Sequence, residues 1–137
     1  MTLHLIKLCV GCDTVEELLD WRAASAAPGS CWILRTRQTP KRGAELMAGG
    51  SLYRVYKGLI LSRQRILDVA TIADGSRTRC EITLDEALTL TLPTPRRPFQ
   101  GWRYLPVADA PADLGASGAA AAVPVDLARR LRELGAW

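Results

Sequence analysis

Apolar and polar positions alternate along much of the chain with the two-residue period of strands. Residues 3–10 alternate loosely and are rich in Leu and Ile, which predicts a strand that Gly11 ends. Asp13-Thr14-Val15-Glu16 has the form of a capping box, with Asp13 as N-cap and Glu16 three residues on. Val15, Leu18, Leu19 and Arg22 follow at helical spacing, and this helix should fade near Ala27-Pro28-Gly29. Residues 31–36 read as a short strand. Thr39-Pro40 reads as a second helix start, with Thr39 as N-cap and Pro40 in the first turn, where its missing N–H is harmless. Gly49-Gly50 stops that helix after a short run.

The middle of the chain is richest in strand signal. Residues 52–57 have aromatic and β-branched content, and Gly58 marks a bulge or a turn. Residues 59–73 are too long for a flat strand and should bend once. Asp74-Gly75 predicts a hairpin. Beyond it Thr78, Cys80, Ile82 and Leu84 alternate with Arg79, Glu81, Thr83 and Asp85, the pattern of a strand buried on one face. Leu88, Leu90 and Leu92 alternate with Thr89 and Thr91 as a further strand. The prolines from Pro93 to Pro98 lack ladder donors and should lie outside any central strand. Residues 106–124 are rich in Ala, Gly and Pro and read as a mobile connection. Residues 126–134 place Leu127, Leu131 and Leu134 on one stripe of a last helix.

This order predicts an α+β fold: a small, mostly antiparallel curled sheet or β-barrel with two to three short helices. Residues 1–114 should form one α+β domain. Residues 115–137 should form an Ala-rich connection and a C-terminal helix.

Composition narrows the class. The 137 residues are 48% apolar and 23% charged, which excludes a wholly disordered chain, a collagen-like fibre and a coiled coil. The longest apolar run, residues 118–124, falls far short of the roughly 20 residues of a membrane span. The first ten residues carry His4 and Lys7 and lack a signal-peptide cleavage site, so a cytoplasmic location without a membrane partner is expected. Net charge is +4, carried by 15 Arg and 3 Lys against 14 acids. Between Arg35 and Arg65 there are eight cations and only Glu45 as an acid, a local excess of +7.

Most catalytic patterns are missing. Cys9-Val10-Gly11-Cys12 is a CxxC, but the second pair that a zinc site needs is absent, and His4 points to the opposite strand face from Cys9. No metal or cofactor is expected. A thiol or metal protein built on Cys9 and Cys12 stays open as an alternative, although Asp13 and Glu16 oppose thiolate formation beside them. There is no Gly-x-Ser-x-Gly elbow, no P-loop and no dinucleotide-binding glycine pattern. An enzyme acting on a phosphorylated or anionic metabolite would use Arg65, Asp68 and Trp102 in one pocket, with Asp68 as base.

Basic and aromatic residues carry the remaining signal. Arg37, Lys41 and Arg42 surround the second helix start, where cations oppose the helix dipole and an anion would relieve them. Tyr53, Arg54, Arg63 and Arg65 continue the basic stretch. Arg96-Arg97-Pro98-Phe99-Gln100-Gly101-Trp102-Arg103-Tyr104 combines three arginines and three rings with no acid. Rings stack on bases while arginines hold phosphate, so Arg96, Arg97, Gln100, Trp102 and Arg103 complete a candidate nucleic-acid or anion surface. An acidic protein partner is compatible with the same charge.

The runs from His4 to Cys12, Pro40-Lys41-Arg42, Gly49 to Tyr53, Lys57-Gly58, Arg63 to Asp68 and Arg96 to Leu105 together resemble a bacterial family, domain of unknown function 1489. The resemblance spans residues 3 to 114 and leaves out the Ala-rich tail. It implies no activity to transfer. A fold-level likeness to PUA-like domains, including the ASCH and EVE modules, implies a small curled sheet that binds RNA or modified bases. The spaced Lys, Glu and Arg of the ASCH signature are not matched. The combined expectation is a non-enzymatic RNA- or nucleic-acid-binding module.

Overall fold

The computed structural model describes residues 2–25, 31–97 and 99–114. The elements are β1 (His4–Leu8), α1 (Val15–Ser25), β2 (Trp32–Thr36), α2 (Gly43–Met47), β3 (Ser51–Tyr56), β4 (Leu59–Asp74), β5 (Arg77–Pro95) and β6 (Trp102–Leu105), then a 3-10 turn at Val107–Asp109. The strands form one sheet in the order β2-β5-β4-β3-β1-β6. Among the described residues only β1 and β3 pair in parallel. Their crossover carries α1, β2 and α2, which is the connection a parallel pair requires. The expected α+β class with a curled, mostly antiparallel sheet holds. No ladder joins the outer strands β2 and β6 among the described residues, so the sheet is open rather than a closed barrel.

The two long strands are bent by register shifts. Ser62 pairs with Leu90 but Ile60 with Thr94, and Gln64 pairs with Leu88 but Ile66 with Leu84, so β5 bulges twice against β4. A third shift, between Ile66 and Asp68, puts the extra residue on β4. These bulges correct three expectations. Residues 84–88 are continuous within β5, because Asp85 folds its carboxylate back onto the Ala87 N–H at 3.0 Å and the strand goes on. Leu92 is turned outward, at 46% exposure, because the shift past Leu90 reverses the alternation. Pro93 and Pro95 do lie within a strand; Pro93 sits inside a bulge, where no ladder donor is needed, and Pro95 at the strand end.

Turn chemistry closes both hairpins. Lys57 and Gly58 have φ of 47° and 82° between paired Tyr56 and Leu59, the two left-handed positions of a type I′ turn. Gly75, with φ of 67°, leads the two-residue loop between Asp74 and Arg77. Helix starts differ from expectation by small steps. Thr14, not Asp13, caps α1, accepting the Glu17 N–H at 3.0 Å, while the Glu17 carboxylate receives the Asp13 N–H at 3.2 Å. α2 begins at Gly43, not at Pro40, and Thr39 bonds Thr71 at 2.8 Å instead of capping it. Glu45 pairs with Arg42, three positions before it.

Two apolar clusters use opposite faces of the sheet. The larger gathers Leu5, Leu52, Tyr56, Leu61, Ile66, Ile82 and Leu84 with Val15 and Leu18 of α1 and Leu46 of α2. The smaller, Ile6, Tyr53, Val55, Ile60 and Leu105, is covered by Phe99 and Ala110. β3 is therefore buried along its whole length. Residues 106–114 are held on the sheet and are not a free connection, with Ala110 against the smaller cluster and Leu114 against the larger. Asp113 bridges Thr91, the Leu114 N–H donates to Leu90 at 2.8 Å, and the Arg63 guanidinium grips both Asp113 oxygens at 2.7 Å. The rest of the expected connection and the last helix lie outside the described residues, as does the expected end of the first helix.

Two buried details set how the β1–β3 layer tolerates change. At Gly50 an added Cβ would lie 2.2 Å from the Leu3 carbonyl oxygen and 2.4 Å from that of Leu46. Both are backbone atoms; the Leu46 oxygen accepts the Gly50 N–H and the Gly50 carbonyl accepts the Ile66 N–H, each at 2.9 Å, so the glycine backbone is held on both sides. Gly50→Ala is expected to cost more than about 2 kcal/mol, read as a fall in melting temperature of roughly 8 °C. The second detail is His4, whose Nδ1 accepts the buried Ser51 N–H at 2.9 Å. Burial and then the nearby Arg63 hold its pKa below 6.5. The unfolded chain therefore binds a proton before the folded one does, and stability falls as pH drops below about 6.5. Thermal melts at pH 7 and pH 5 should show a loss in the natural chain and a smaller one in His4→Gln, which has an uncharged acceptor.

Candidate functional site

The outer strands approach each other through side chains. In β6 the residues alternate, so Trp102 and Tyr104 pack toward the larger cluster while Leu105 packs into the smaller one. From the edge, Trp102 Nε1 donates to the Gln38 carbonyl at 3.3 Å, just past the end of β2. The Arg42 N–H donates to the Tyr104 hydroxyl at 3.2 Å, and the Arg42 guanidinium lies 5.7 Å from the Tyr104 ring centre. The Trp102 and Tyr104 rings meet edge to face at 5.1 Å. This seam holds the sheet edges together while leaving a space between them.

That space is a cleft of about 500 Å³ lined by Lys7, Arg35, Thr36, Arg37, Gln38, Gln100, Gly101, Trp102 and Arg103. Two further clefts adjoin it. One of about 290 Å³ shares Arg35, Thr36 and Arg37 and adds Arg77, Thr78 and Arg79. The other, about 560 Å³, shares Arg103 and adds Pro95, Arg96, Arg97, Phe99 and Tyr104. Among the described residues eight cations line the three clefts and no acid does.

The local geometry limits which cations are available. Arg35 donates to Glu81 at 3.0 Å, and Arg79 approaches the same oxygen at 3.7 Å. Arg37, Arg77 and Arg97 are exposed, and among the described residues no ion pair or hydrogen bond engages their side chains. Arg103 donates to its own loop, at 2.9 Å to the Gln100 carbonyl and 3.0 Å to that of Trp102. Gly101 turns this loop with φ of 72°. The guanidinium groups of Arg103 and Arg96 lie 5.4 and 5.7 Å from the Phe99 ring centre, a cation–π arrangement that fixes the loop below both clefts.

The sequence-predicted residues divide into three sets. Arg37, Gln100, Trp102 and Arg103 share the central cleft, and Arg96 and Arg97 line its neighbour. Lys41 and Arg42 are exposed beside the seam, with Arg42 engaged by Glu45 and Tyr104. α2 is a single five-residue turn, so no anion site is built on its start. Tyr53, Arg54, Arg63 and Arg65 lie elsewhere. Tyr53 is buried against His4 with its ring 5.1 Å away, which removes it from stacking on a base. Arg63 is held by Asp113 and Ser51, and the same guanidinium holds the Asp113 carboxyl below its ordinary pKa. Arg65 and Asp68 are exposed on β4 and do not line the cleft that Trp102 lines.

Arg54 is an interior residue. It is 6% exposed, donates to the Gln64 side-chain oxygen, and lies 5.2 Å from the Trp32 ring centre. Gln64 in turn donates to the Asp85 carbonyl at 2.8 Å, inside the bulge. Arg22 of α1 stacks on the same Trp32 ring at 5.0 Å and pairs with Glu86. Cys9 and Cys12 pack at the edge of this group. Burial pushes the Cys9 thiol up to about 12, and the nearby Arg54 only partly offsets it. Cys80 is fully buried. Among the described residues no three His, Cys, Asp or Glu side chains cluster as metal ligands, and no helix is long and apolar enough to cross a membrane.

Lys7, Arg35, Arg77 and Arg79 are cleft residues that sequence reasoning did not single out. Arg79 is legible as the polar partner of Cys80 in the alternation, but its meeting with Arg35 depends on the β2–β5 register, in which Thr36 faces Cys80. No curated protein and no solved structure matches the chain. A family model described as protein of unknown function (DUF1489) matches residues 5–137, extending the resemblance through the Ala-rich tail that it had left out. With nearly the whole chain matched, cleft residues included, the protein belongs to the DUF1489 family.

Proposed function

We propose that this protein is a non-enzymatic nucleic-acid-binding module, with RNA as its favoured ligand, and that the basic seam is its binding surface. The observation that carries this reading is the row of three adjoining clefts lined, among the described residues, by eight cations and no acid. A ligand with several negative charges along its length answers that arrangement better than one compact anion. Arg37, Arg77 and Arg97, which have no acidic partner among the described residues, would contact phosphates. Trp102 supplies a ring, and Gln100 supplies an amide able to meet a base edge. The PUA-like likeness belongs to this reading, because a curled sheet with short helices suits a ligand laid across its edges; such an analogy adds plausibility to a fold and not to a function.

A small phosphorylated or anionic metabolite is the second reading. The central cleft, at about 500 Å³, falls in the size range of small-molecule sites. Salt dependence separates the two. Neutralising six phosphates of a single strand gives a log–log slope of about −4, whereas a compact anion gives a much shallower one. In a fluorescence titration over a range of salt, the double variant Arg37→Glu with Arg97→Glu should weaken RNA binding at least about tenfold and make the slope shallower by about 2. Both side chains are exposed and unpaired among the described residues, so melting temperature should not move. A flat salt response, or no binding of nucleic acid, would refute the reading.

A further inference from the structure

We infer that the central cleft seats one unpaired nucleotide, so that the protein selects single-stranded or looped nucleic acid over continuous duplex. This rests on the binding reading above and adds the class of strand.

The shape of the site supplies the argument. An RNA duplex is read by elements laid across its wide, shallow minor groove and against its phosphates, because its major groove is too deep and narrow for side chains. The helices are unsuited to that task. α2 carries no cation, and the one cation of α1, Arg22, is turned to Glu86 and Trp32. The β4–β5 hairpin brings Arg77 and Arg79 near its tip, but Arg79 is drawn to Glu81. The ring able to stack on a base is instead recessed. Trp102 is half-buried between the two sheet edges, pinned by its bond to Gln38. A base stacked inside a helix does not reach a ring in that position. A base that has left the stack does, and stacking on it contributes about 1–3 kcal/mol.

The surroundings of Trp102 fit one nucleotide. Gln100 is exposed on the turn before β6, and no hydrogen bond among the described residues engages its side-chain amide. Lys7 and Arg37 line the same cleft, and Arg103 links it to the next. A single base thus finds a recessed ring and an amide at the rim, with cations on either side for the phosphates that flank it. Neighbouring nucleotides would run along the adjoining clefts, where arginines predominate and the Phe99 and Tyr104 rings are already engaged by Arg96, Arg103 and Arg42.

The test compares a short single-stranded RNA, the matching duplex and a hairpin presenting the same bases in its loop, by fluorescence anisotropy at one low salt concentration. Single strand and loop should bind at least about tenfold tighter than duplex, the equivalent of one stacked base. Trp102→Phe keeps a ring and should keep the preference, while Trp102→Leu should lose it. If Trp102→Leu does not fold, ultraviolet crosslinking of the natural protein to a uridine-containing strand decides. The crosslink should map to residues 99–103. Equal affinity for strand and duplex, or crosslinks only outside that segment, overturns the unpaired-nucleotide inference while the binding reading stands. Failure to bind any of the three ligands overturns both.

Discussion

A ribbon of two strands with 16 and 19 residues must fit inside a small domain, and this constraint shapes the rest of the molecule. At about 3.3 Å per residue, the longer strand would reach roughly 60 Å if flat. A chain of 137 residues has a radius of gyration of about 14 Å when compact. The ribbon therefore has to bend around its own core. The three register shifts between β4 and β5 supply the bend. Each leaves backbone groups without ladder partners, and side chains fill the places. Gln64 donates to the Asp85 carbonyl, Asp85 accepts from Ala87, and Thr91 reaches the Ile60 carbonyl at 3.3 Å.

The curl then determines where the seam falls. Bending β4 and β5 carries the outer strands β2 and β6 toward each other, yet no backbone ladder joins them among the described residues. Unpaired edges are a general hazard for sheet proteins. Here the hazard is met by a Trp and a Tyr from one edge that bond to the segment after the other. The same edges carry arginines, and charge on an edge discourages pairing with another chain's strand. A basic seam thus has a structural rationale before any ligand is considered. The case for binding rests on the excess beyond that need: the neighbouring clefts extend the same charge past the edges, through residues of β5 and of the loop after it.

What was legible in the sequence followed from local periodicity. The strand over 78–84 was readable because Cys80, Ile82 and Leu84 alternate without interruption and all face the core. Gly58 and Gly75 were readable as turns because only left-handed backbone closes a two-residue hairpin there. Leu92 was misplaced because a bulge reverses alternation without leaving a clear residue signature. The second helix start was misplaced because Thr39-Pro40 has the form of a cap, while the Thr39 hydroxyl finds Thr71, 32 positions away, and that partner is invisible to local pattern. In the candidate site, the run 96–103 was legible because its arginines and rings are contiguous. Lys7, Arg35, Arg77 and Arg79 were not, because they join it only through strand order and register.

Local charge excess was the least reliable guide, and the reason is physical. The basic stretch between Arg35 and Arg65 holds side chains in three different situations. Arg37 faces solvent and has no acidic partner among the described residues. Arg63 is gripped by a carboxylate 50 positions along the chain. Arg54 is buried on an aromatic ring, where a planar, weakly hydrated guanidinium is tolerated better than an ammonium. A net charge counted along the sequence treats the three alike. Only an arginine whose field is uncancelled nearby attracts a distant anion, and only one with unused donors grips it on arrival. By that standard Arg54 and Arg63 are parts of the scaffold, holding the bulge and the 106–114 segment in place. Their removal would disturb ligand binding only by disturbing the curl that brings the two edges together.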